Sequence, residues 1–184
     1  MPQANTKLQK LIILSLMVAL DVVLSPLFRI EGMAPMSSVM NIIGVTLMGP
    51  FYGTIMALTC GLLRMLLLGV PPLALTGAVF GAFLAGIGYK YSKNIHVAML
   101  GEIIGTGLIG SLLSYPVMVW FTGSATSMYW FIYTPRFFGG AISGSLIGYL
   151  GFMKLEKITK FKRIQTLFKG EELDGCESKR PINE

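Results

Sequence analysis

The sequence predicts an all-α integral membrane protein, a bundle of about six transmembrane helices with both termini in the cytoplasm. Three observations lead there. Hydrophobic residues make up 53% of the 184 and charged residues only 13%, too few charges to cover a soluble domain of this size. Those charges are segregated. Between Leu11 and Met153, setting aside tyrosines, Cys60 and His96, they are Asp21, Arg29, Glu31, Arg64, Lys90, Lys93, Glu102 and Arg136. Finally, the apolar runs between turn signals have about the 20-residue length that crosses a bilayer.

The spans are expected at 8–28, 34–48, 50–68, 72–92, 95–121 and 135–153. The first is too long for a signal-peptide core, carries Asp21 and lacks a small-x-small cleavage site, so it is read as a retained helix. The second is short and opens near Gly32 to Pro35. The fifth is long enough to tilt or to protrude. The sixth is expected to begin at Pro135 with Thr134 as its N-cap, since proline suits the first helical position. Residues 122–134 between them form an aromatic loop. The 22 glycines suit membrane helices, whose close packing depends on small residues.

Orientation follows from lysine and arginine. Lys7 and Lys10 precede the first span, Lys90 and Lys93 separate the fourth and fifth, and Lys154, Lys157, Lys160, Lys162, Arg163, Lys169, Lys179 and Arg180 follow the sixth. This side is expected to be the cytoplasm, and two cytoplasmic termini require an even number of crossings. Residues 1–153 are thus the membrane domain and 154–184 a cytoplasmic tail, basic at first. After Gly170 the tail turns polar and mixed in charge, so it is expected to be partly disordered. A basic segment beside a bilayer meets anionic lipid rather than nucleic acid. Cys60 and Cys176 predict no disulfide and no metal site, and no Walker A sequence is present, so no cofactor is expected.

Several motifs reduce to packing. Gly105-Thr-Gly107-Leu-Ile-Gly110 has dinucleotide-fingerprint spacing, but it lies inside an apolar helix rather than between a strand and a helix. Gly140, Gly144 and Gly148 form a small-xxx-small ladder, as do Gly77, Gly81 and Ala85. In the first span Ser15 and Ala19, one turn apart, make a stripe of small residues. It packs against its own bundle or docks another membrane protein; spacing leaves both open.

Polar residues at membrane depth mark functional sites by default. At about 1.5 Å per residue, Asp21, Asn41, Arg64 and Tyr115 fall roughly 6–11 Å below the outer surface. Arg136 stands at the outer mouth, with Trp130 and Tyr133 in the loop beside it. This layer predicts a pocket with apolar walls and a few orienting polar groups, for a small, partly aromatic solute. The plain alternative is an Asp21–Arg64 ion pair that only joins helices. Glu102, counted from the cytoplasmic end, is expected at the opposite depth, in a structural or partner-facing role.

The stretches Met40-Asn41-Ile-Ile-Gly44, Gly49-Pro-Phe-Tyr-Gly53, Gly61-Leu-Leu-Arg64, Gly77-Ala-Val-Phe-Gly81-Ala and Gly101-Glu-Ile-Ile-Gly-Thr-Gly-Leu-Ile-Gly-Ser-Leu-Leu-Ser-Tyr-Pro116 resemble the S components of energy-coupling factor (ECF) vitamin transporters, and among them the ThiW family. The resemblance covers about residues 8–153. It implies a subunit that binds a thiamine precursor, the thiazole moiety hydroxyethylthiazole, near the outer face. It also implies partners: a transmembrane T subunit and two ATPase subunits that drive uptake. Ser15 and Ala19 would be the docking face, with serine where the pattern has alanine. Substrate recognition would fall to Asp21, Asn41, Arg64, Tyr115, Trp130, Tyr133 and Arg136.

The outer half holds Arg29, Arg64 and Arg136 against Asp21 and Glu31, a surplus that an anionic relative of the thiazole would use. Two other function classes compete. A self-sufficient secondary transporter or channel is disfavoured by the lack of a clear inverted repeat. An intramembrane enzyme using Asp21 or Glu102 is disfavoured by the lack of a nucleophile or metal cluster, so no catalytic residue is assigned.

Overall fold

The computed structural model describes residues 2–28, 34–123, 131 and 133–177, with side chains between 6 and 168. Every element among them is helical: α1 (Pro2–Leu27), α2 (Pro35–Leu68), α3 (Leu73–Ser92), α4 (Ile95–Glu102), a π-helical stretch (Ile103–Gly110) leading into α5 (Ser111–Thr122), α6 (Thr134–Leu155) and α7 (Thr159–Glu177). Arg29, Glu31 and Trp130, and the end of the tail from 178, lie outside the described residues.

Four helices are long and apolar enough to cross a membrane: Thr6–Leu27, Pro35–Leu68, Leu73–Ser92 and Ile95–Phe121. The second is folded back on itself. Its 34 residues would make a straight rod of about 51 Å. Instead the chain reverses at Gly49, whose φ of 83° and ψ of 177° suit only glycine. Pro50 follows, which has no N–H to lose. The arms 35–48 and 50–68 then run antiparallel. A Cβ on Gly53 would lie 3.1 Å from the Cα of Val45, and Arg64 Nη2 reaches Ser37 Oγ at 3.4 Å. With α6 this makes six helical segments of the kind expected. α6 is not among the four most apolar because Arg136, Lys154 and its small residues dilute it. It begins at Thr134, with Tyr133 in the N-cap position, one residue earlier than expected. The Thr134 hydroxyl approaches Ser111 Oγ at 3.3 Å.

Glycine ladders set the helix spacing. A Cβ on Gly110 would meet the Cα of Gly77 at 2.6 Å, one on Gly105 the Cα of Gly81 at 2.8 Å, and one on Gly101 the carbonyl oxygen of Leu84 at 2.6 Å. The backbone of α3 therefore lies directly on the fifth segment, and the Gly105–Gly110 motif is a packing surface. On the other flank, Gly144 of α6 sits against Pro35 and Ser38, and Gly148 against Val39 and Ile42. Small side chains (Ala57, Ala78, Ala82, Ala85) fill the interface between α2 and α3. Large apolar side chains of α1 and α6, such as Leu16, Leu27, Leu146 and Leu150, are exposed, as lipid-facing surfaces require.

In the stretch anticipated as a basic tail, α7 packs across one end of the bundle. Phe161 and Phe168 are buried, with Ile164 and Leu167 beside them, a helical i, i+3, i+7 spacing inside a basic run. Phe161 meets Phe152 of α6 at 6.0 Å between centroids and Phe168 meets Tyr52 of α2 at 5.0 Å. Gln165 Nε2 donates to the carbonyl of Thr46 at 2.9 Å, and Lys10 of α1 lies 5.7 Å from the Phe168 centroid.

Candidate solute site

At the end of the bundle away from α7, α1 finishes and α2, α3 and α6 begin. A cavity of about 100 Å³ opens there, lined at this end by Ser25, Ala34, Leu68, Leu73 and the exposed Arg136. It descends between α2, α3 and α6 to Asn41, Glu102 and Thr106. A water needs about 10–15 Å³ of such space, so that volume suits one small ring with short substituents.

The floor is a hydrogen-bonded cluster. Asn41, 1% exposed, donates from Nδ2 to the carbonyl of Ala78 at 3.1 Å and to Glu102 Oε1 at 3.1 Å. Thr106 Oγ1 lies 3.0 Å from the same Oε1 and 3.1 Å from the carbonyl of Gly77. The helical rise brings Glu102 and Thr106 to one face, i and i+4, at the start of the π-helical stretch. Gly81 has no Cβ to collide with them: one there would lie 2.7 Å from Glu102 Oε2. The wall above holds Arg64, 4% exposed, which among the described residues makes one long hydrogen bond, to Ser37.

This cluster is under-satisfied. Asn41 Oδ1, Arg64 Nε and Glu102 Oε2 are buried and have no hydrogen-bond partner among the described residues. Buried polar atoms are almost always paired, and each exception calls for an explanation. Here three residues lining one cavity each carry such an atom, in a site otherwise walled by Ala74, Ala78, Phe137 and Ala141.

The structure brings Asn41, Arg64 and Arg136 of the anticipated layer into this cavity. Asp21 stands behind it: 1% exposed, it accepts from Ser25 Oγ at 2.5 Å, and Ser25 lines the cavity. Asp21 and Arg64 are close enough to interact electrostatically. Yet among the described residues no ion pair joins them, and Asp21 Oδ2 has no partner. Tyr115 and Tyr133 are half-buried and do not line the cavity; among the described residues the aromatic side chain that does is Phe137. Trp130 lies outside the described residues.

Glu102 requires a correction: it stands beside Asn41 rather than at the opposite depth. The first arm of α2 is so short, about 21 Å for 35–48, that Asn41, counted from its outer end, is also halfway to its inner end. Glu102, counted from the other side, meets it there. An intramembrane carboxylate was itself a sufficient signal; the depth count obscured it.

Among the described residues no group of three His, Cys, Asp or Glu side chains is placed to hold a metal ion. Ser15 and Ala19 are exposed on α1 rather than packed within the bundle, and Ser15 Oγ is returned to the carbonyl of Leu11 at 2.7 Å.

Comparison with curated proteins and with solved structures found no match. The family comparison did: residues 11–158, which include the whole cavity and end one residue before α7, match ThiW, the thiamine-precursor transporter protein family. The chain therefore belongs to the ThiW family of thiamine-precursor transporters, a family of transporters and not of enzymes, and its long apolar helices are those of a multi-pass membrane protein.

Proposed function

We propose that this protein is the substrate-binding S component of an ECF-type transporter in the cytoplasmic membrane. It takes hydroxyethylthiazole into the cavity from the outer face for ATP-driven uptake. A T subunit and two ATPase subunits supply the drive, the T subunit docking on the Ser15–Ala19 face of α1. The observation that carries the reading is the set of unpartnered buried atoms on Asn41, Arg64 and Glu102. A thiazole alcohol supplies a ring nitrogen to accept from Arg64 and a hydroxyl to donate to the Asn41–Glu102 pair, while its ring lies against Phe137. The volume favours one ring over the two of thiamine.

One structural detail favours a close relative. Among the described residues Arg64 and Arg136 line the cavity against one acid, Glu102, a balance that also suits a phosphorylated or carboxylated thiazole. Titration of the purified protein, without ATP or partners, decides between them. Hydroxyethylthiazole, its phosphate, the pyrimidine precursor and thiamine are compared. Saturable binding of a thiazole is expected; binding of thiamine with none of the thiazoles would overturn the substrate assignment.

A further inference from the structure

A second cavity, of about 250 Å³, lies at the opposite end of the bundle and shares no lining residue with the first. The α2 reversal at Gly49, the last turn of α3 and the packed face of α7 enclose it. Its walls are of two kinds. Tyr52, Phe168 and Met48 offer apolar surface, while Lys90 and Lys93 stand on one side at the end of α3. Gln165, tied to the Thr46 carbonyl, braces the α7 wall. The surface around it is basic: Lys154, Lys157, Lys160, Lys162 and Arg163 are exposed, and among the described side chains at this end the one acid is Glu156. The tail acids Glu171, Glu172, Asp174 and Glu177 follow Phe168 in the chain.

A small soluble anion has no use for the apolar wall, and an apolar solute has none for the lysines. A phospholipid uses both, and this end of a membrane bundle is where headgroups lie. Long lysine side chains are suited to the boundary, their stems on apolar surface and their ammonium groups among the phosphates. Basic clusters beside transmembrane helices attract anionic lipid. We propose that this cavity binds one anionic phospholipid, its phosphate held by Lys90 and Lys93 and its upper acyl chain against Tyr52 and Phe168, so that the lipid joins α7 to the α2–α3 end of the bundle. The site does not depend on the transport reading.

The test uses the full-length protein in phosphatidylcholine nanodiscs, titrated with phosphatidylglycerol. Native mass spectrometry reads the retained lipid, and thermal unfolding reads stability. The expected result is one retained phosphatidylglycerol per chain, held about tenfold tighter than phosphatidylcholine, with a higher unfolding temperature. The Lys90→Gln/Lys93→Gln variant should lose that preference. The Lys90→Arg/Lys93→Arg variant, which preserves charge, and the Lys160→Gln/Lys162→Gln variant, outside the cavity, should keep it. Equal retention of the two lipids, loss of preference in the Lys160/Lys162 variant alone, or competition by glycerol phosphate as effective as by the lipid would each overturn the proposal.

Discussion

At the residue scale, the site is a set of polar side chains whose burial is only partly compensated. Arg64 shows this most clearly, nearly inaccessible and yet bonded by one long contact among the described residues. A solute that accepts from it replaces a missing partner, and hydrogen bonds to charged groups contribute roughly 1.5–3 kcal/mol. Arg64→Ala is expected to weaken thiazole binding more than about tenfold, as read by titration of the folded variant; unchanged affinity would make the arginine structural. Glu102→Gln keeps the shape but turns one acceptor into a donor. It should abolish the advantage of hydroxyethylthiazole over the same ring carrying an ethyl group, and an intact preference would remove Glu102 from recognition. Asn41, Arg64 and Arg136 were legible in the sequence because polar residues in apolar runs stand out. The aromatic wall was less so. Tyr115 was drawn from its depth in the fifth span and Trp130 and Tyr133 from the aromatic loop at the outer mouth, whereas Phe137 lines the cavity from the first turn of α6, a placement that neither depth nor aromatic content encodes.

At the scale of elements, the helices were legible because each apolar run ends at glycine, proline or charge. The α2 reversal was legible too, since Gly49-Pro50 breaks a 34-residue run well beyond the roughly 20 that a bilayer needs. The π-helical stretch was not: its glycines carry no periodic side-chain signal, and it lies where the backbone packs closely on α3. Nor was α7, whose apolar residues Phe161, Ile164 and Phe168 are scattered in a segment dominated by lysine and arginine. The exposed face of α1 gives the element its test. Membrane helices associate by close packing rather than by hydrophobic drive, so a bulky side chain between Ser15 and the outer half should hinder a partner without touching the cavity. Ala19→Trp should bind solute normally, fail to co-purify with the T subunit and ATPases, and abolish uptake in cells. Retained uptake and co-purification would place the docking face elsewhere.

For the whole molecule, the two ends differ in kind. One holds a small cavity with Arg136 at its mouth; the other carries the lysines and α7. The distribution of charge predicts that the α7 end faces the cytoplasm. In a background without Cys60 and Cys176, Phe131→Cys should react with an impermeant thiol reagent in intact cells and Lys160→Cys only after lysis; the reverse pattern would invert the topology. The most direct test of the central claim, that the chain is a binding subunit and not a complete carrier, is solute movement by the wild-type protein alone in liposomes. The protein should bind hydroxyethylthiazole there and transport none, with uptake appearing only when the T subunit and ATPases are added with ATP. Transport without partners or ATP would contradict the account.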